Sequence, residues 1–121
     1  MRRFAFTLVG LVFWLAPDAA SAQTLPFEGK WARRAELCAP TSVPPSEERP
    51  APFTLSALGL TSTIMTCEFT SVLPGGLSFR VEANCIAGTE RLREFFIFAV
   101  IGEWLHWGWD KGTASFVRCP G

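Results

Sequence analysis

From Glu28 onward the chain repeats apolar and polar side chains with period two, or in short apolar runs, and no segment carries the spacing of an amphipathic helix. The pattern predicts strands over 28–33, 53–58, 61–72, 77–87, 91–101, 104–109 and 113–119, with breaks at Gly59, Leu73-Pro74-Gly75-Gly76, Gly102-Glu103 and Asp110-Lys111-Gly112. Residues 39–52 contain Pro40, Pro44, Pro45, Pro50 and Pro52 beside Glu47, Glu48 and Arg49. Proline cannot donate to a sheet ladder, so this stretch is expected as an exposed loop. The expected fold class is all-β: a small antiparallel β-barrel or closed sheet of about seven strands with hairpin connections.

The hairpin patterns also predict register. Met65, Cys67 and Phe69 alternate with Thr66, Glu68 and Thr70 on one arm, and Phe79, Val81, Ala83 and Cys85 with Arg80, Glu82 and Asn84 on the other. Pairing Phe69 with Ala83 places Cys67 opposite Cys85, both inward. Cys38 and Cys119 are then left for each other. Three connectivities exist for four cysteines, and sequence alone does not exclude the other two. In the chain-entropy model the long bridge contributes about 4 kcal/mol and the short one about 3.

The same reading of the C-terminal segment pairs Val100 with Leu105, Phe98 with Trp107 and Phe96 with Trp109 on a core face. A three-residue turn at 110–112 then sets Trp107 against Ser115 and Leu105 against Val117, while His106 faces Phe116 and Trp104 faces Arg118 on the outside. That outer face, with Ile97, Ala99 and Ile101, is unusually apolar. Trp104, His106, Phe116 and Arg118 are therefore the candidate binding residues. Tryptophan and arginine dominate interface hot spots, and the register lets Arg118 stack on Trp104.

The N-terminus follows a different pattern. Arg2 and Arg3 precede an apolar run from Phe4 to Ala16, and Ala20-Ser21-Ala22 offers a cleavage site before Gln23. Residues 1–22 are expected as a signal peptide, leaving 23–121 as a single all-β domain without stable membrane insertion after cleavage. Export makes the compartment periplasmic or extracellular, where an even set of widely spaced cysteines reads as disulfides. Eleven basic residues balance eleven acidic ones, which removes the charge excess on which nucleic-acid binding depends.

Gly29-Lys30-Trp31 near the start and Arg118 near the end resemble the calycin plan, in which a Gly-x-Trp strand opens the barrel and a late arginine packs over the tryptophan. The size is similar to that of bacterial periplasmic metalloprotease inhibitors, eight-stranded barrels built on an early Gly-x-Trp and a disulfide, and this resemblance implies a hydrolase as partner. A second disulfide and the closing Arg118-Cys119-Pro120 depart from those inhibitors. Taken whole, Gly-x-Trp, four spread cysteines and a terminal Arg-Cys-Pro look more similar to small periplasmic proteins of Gram-negative bacteria, a group with no assigned role.

No catalytic residue, cofactor or metal is expected. His106 is the single histidine, and in the register above it points away from Ser115, which breaks a triad with Asp110. Glu47 with Glu48, and Glu90 with Glu94, lack the apolar setting that would separate their pKa values. Alternation places Glu94 inward opposite Ala83, and a bulge turning it outward is the simpler expectation. Trp107 and Trp109 are expected in the core. The reading is a non-enzymatic exported module that binds a protein through an apolar patch, and the alternative is a carrier barrel whose ligand lies among Phe69, Phe79 and Phe98.

Overall fold

The computed structural model describes Gly10, residues 24–40 and residues 42–120. The expected signal peptide lies outside the described residues, apart from Gly10. Eight strands follow one another around a closed antiparallel barrel: β1 Gly29–Ala32, β2 Phe53–Leu55, β3 Gly59–Thr61, β4 Thr66–Gly75, β5 Ser78–Ala87, β6 Glu90–Ile101, β7 Trp104–Trp109 and β8 Gly112–Arg118. Closure is made by Trp31 pairing with Arg118 and Ala32 with Val117. A closed barrel leaves no free sheet edge to recruit another chain. The helical element among the described residues is one 3-10 turn, Ala35–Cys38, and no helix among them is long and apolar enough to cross a membrane.

The eighth strand is β3, which forms across Gly59, expected as a break, and ends at Thr61, so that the strand expected over 61–72 starts only at Thr66. Ser62 stops β3, its hydroxyl accepting the amides of Ile64 and Met65 at 3.3 and 3.0 Å and donating to the Met65 carbonyl. Ser56 ends β2 in the same way, accepting from Leu58 and Gly59 at 3.2 and 3.1 Å. A serine hydroxyl that bonds its own following backbone competes with the ladder and makes a turn. Gly59 then begins β3 so close to β4 that a Cβ there would run into the Cys67 carbonyl.

Both disulfides join the expected partners. Cys67 and Cys85 are directly paired across β4 and β5, with Cα atoms 4.0 Å apart, and Cys38 and Cys119 are bridged with Cα atoms 5.4 Å apart. Beyond that pair, the ladder shifts by a bulge between Phe69 and Ser71. Past the bulge the apolar arm changes parity, so Val72 meets Val81 and Pro74 meets Phe79. The strand therefore runs through Leu73 and Pro74, and the turn moves to Gly76-Leu77.

Phe27, just before β1, is fully buried and packs on Phe69, Phe79 and Phe98 with ring centroids 5.2 to 6.3 Å apart. Trp31 is buried beside it and donates its indole N–H to the Phe27 carbonyl at 2.8 Å. Arg118 lies over the Trp31 ring at 4.3 Å and donates to the carbonyls of Glu28 and Pro26 at 2.9 and 2.7 Å. Gly29 leaves room for it: at φ +135°, with a would-be Cβ 2.9 Å from the Arg118 Nη1, no other residue fits without strain. The Glu28 carboxylate completes this end by accepting from the amides of Leu25 and Ala57 at 2.6 and 2.7 Å.

Candidate functional site

The β6–β7 hairpin has the expected register, with Val100 opposite Leu105 and Phe98 opposite Trp107 around the two-residue turn Gly102-Glu103. The next hairpin does not. Gly112 is the first residue of β8, paired with Trp109 at φ +149°, so the turn holds only Asp110 and Lys111. One residue fewer in the turn slips the register by one, and every β8 side chain changes face. Phe116 consequently pairs with Leu105 on the inner side and meets the Phe53 ring at 4.8 Å and the Trp107 ring at 5.9 Å, rather than standing outside as expected. Arg118 lies over Trp31, as the Gly-x-Trp resemblance implies, and not over Trp104, where the register expectation places it.

The same slip brings His106 and Ser115 together on the outer face, where Nδ1 and Oγ are 2.9 Å apart. This corrects the expectation that they point to opposite faces. The pair lacks an orienting acid, since among the described residues no carboxylate hydrogen-bonds or ion-pairs with His106. A triad orients its imidazole through such an acid.

Trp104 remains outside, paired with Ile101 on β6 and now with Val117 on β8. The row above it is Ala99, His106 and Ser115, and the next is Leu73, Arg80, Ile97 and Gly108. Trp104 is 49% exposed, Ile97 50%, Ile101 59%, Leu73 59% and Phe95 59%. Three strands, β4, β6 and β7, thus carry exposed apolar side chains on this face, with Arg80 of β5 between Leu73 and Ile97. Charged groups border it: Arg93 bonds Glu82 at 3.2 Å beside Phe95, and the Arg118 Nε lies 3.9 Å from the Glu103 carboxylate. An apolar centre with a polar rim is the layout of a recognition surface. Sequence reading found Trp104 and His106 on this surface but missed Leu73, which the bulge turns outward.

Glu94 pairs with Ala83 in an uninterrupted β5–β6 ladder and is half-buried on that residue's face. No bulge turns it outward, contrary to the simpler expectation, because the alternation of β6 is unbroken from Leu92 to Val100. Trp107 and Trp109 are half-buried against the core. The Trp107 indole N–H is enclosed without an oxygen or nitrogen acceptor, and rings of Phe53, Phe96 and Phe98 stand edge-on to the indole at 4.9 to 5.4 Å.

The barrel interior is filled at one end and open at the other. Phe69, Phe79 and Phe98, expected to line a carrier site, pack around Phe27 at the filled end. A cavity of about 450 Å³ opens instead between the Pro-rich loop and the Ser62–Met65 turn, with Phe53, Leu60, Trp107 and Phe116 as its walls. No local pattern in the sequence marks it: the expected strands run over 53–58 and 61–72, whereas β2 and β3 are three residues each. Compared with protein families, with curated proteins and with solved structures, the chain returns no match.

Proposed function

We propose that this protein is an exported, non-enzymatic binding module that docks a protein partner on the outer face of β6, β7 and β8. The observation that carries the reading is the run of Ile97, Ile101 and Trp104, each about half exposed, on adjacent strands of a barrel that is already closed. No second layer among the described residues covers them. Their exposure to water is unfavourable by roughly 25 cal/mol per Å² of apolar surface, so a partner that covers them gains that free energy. Trp104 is the anchor, flanked by Ile101 and Val117. His106 and Ser115 supply polar contacts beside it, and the charged pairs at the border set orientation.

Two disulfides support an oxidising compartment, and the resemblance to periplasmic inhibitors makes a hydrolase the partner to test first. The test is capture from a periplasmic extract with the oxidised domain immobilised, followed by mass spectrometry. Specific retention of one protein, lost with Trp104→Ala, is expected. Equal retention by wild type and Trp104→Ala removes this face from the account.

A further inference from the structure

Beyond the outer face, the open end of the barrel carries a second site. Its walls are the inner faces of β2, β3, β7 and β8, and its rim comes from the Pro-rich loop and the β3–β4 turn. Phe53 and Leu60 are buried, whereas Trp107 and Phe116 are only half-buried, so the last two keep part of their rings uncovered within the lining. The volume, about 450 Å³, falls in the range of small-molecule sites, roughly 300 to 1,000 Å³. An eight-stranded barrel is wide enough either to be filled by its side chains or to hold one small ligand. Here the filled end takes the first course and leaves the other end free for the second.

One rim residue gives the ligand a head group. Arg33 follows β1, and its guanidinium lies over the Phe116 ring, 5.7 Å from the centroid. It makes no hydrogen bond or ion pair with any described residue, and Glu47, which borders the same cavity, is not its partner. An exposed guanidinium held over an aromatic face, with none of its donors engaged by a described residue, presents a fork that matches a carboxylate. We propose that this cavity binds an aliphatic medium-chain carboxylate, its chain against Phe53, Leu60, Trp107 and Phe116 and its head on Arg33.

Octanoate and 1-octanol, titrated separately into the oxidised protein, test the chain and the head apart. Calorimetry should give saturable octanoate binding, with amide and indole shifts confined to Arg33, the 62–65 turn, Trp107 and Phe116. Arg33→Gln should weaken octanoate at least tenfold and leave 1-octanol unchanged. Ala51→Trp, which enlarges a residue of the loop rim, should abolish both while the thermal midpoint stays put. The proposal is overturned by absent or non-saturable binding, by shifts centred on Ile97 and Trp104, or by an Arg33→Gln variant that binds octanoate as wild type does. It would equally fall if Arg33→Gln weakened the acid and the alcohol alike.

Discussion

The inner and outer faces of β6–β8 are both apolar, yet only one has anything to pack against. Inside, Phe96, Phe98, Leu105, Trp107 and Phe116 meet one another or Phe53 and are buried or half-buried. Outside, Ile97, Ile101 and Trp104 stand in water on the same strands. An antiparallel sheet ordinarily alternates apolar inward with polar outward. Apolarity on both faces therefore separates residues packed in the core from residues that the proposed docking would use. Substitution of either set by alanine should divide the protein's stability from its binding.

The largest effect is expected inside. Trp107→Ala should cost about 3 to 5 kcal/mol, as for other large aromatic core truncations, measured by denaturant melts. A loss below 1 kcal/mol would mean that its ring contacts with Phe53, Phe96 and Phe98 do little for stability, and the inner face would lose its special status. The covalent frame comes next. Cys38→Ser combined with Cys119→Ser should destabilise the domain by about 2 to 5 kcal/mol, because that bridge closes a loop spanning most of the barrel.

A smaller effect tests which way β8 faces. Phe116→Ala should cost roughly 2 kcal/mol, as expected for removing a partly buried ring, while Ser115→Ala should stay within about 0.5 kcal/mol as a surface change. If Ser115→Ala were the costlier of the two, the turn would hold three residues and the two faces of β8 would exchange.

That turn marks the limit of what sequence could reveal. The all-β class, the Cys67–Cys85 pairing and the β6–β7 register were legible because each rests on period-two alternation beside a short turn. Gly112 defeats the same reasoning: a glycine after Asp-Lys suits a three-residue turn, but it also accepts an extended place at positive φ, and the ladder takes it there. The bulge at Thr70 does leave a mark, since Thr70 and Ser71 are consecutive polar residues and the apolar positions resume at Val72 on the other parity, but two polar residues also suit a strand nearing its end before Leu73-Pro74-Gly75-Gly76. The cavity was hidden for another reason. It arises from where short strands and a proline-rich loop leave the barrel uncovered, which no local pattern encodes.

The proposed docking face requires that Trp104 contribute to binding and little to the fold. Trp104→Ala should leave the melting midpoint essentially unchanged, with a stability change within about 0.5 kcal/mol, and should weaken capture of the partner by about 2 kcal/mol or more, as truncation of a hot-spot tryptophan does. Thermal melts and pull-down on the same preparation make the measurement. A Trp104→Ala protein that unfolds, or one that melts normally and retains its partner with wild-type affinity, contradicts the assignment of this face.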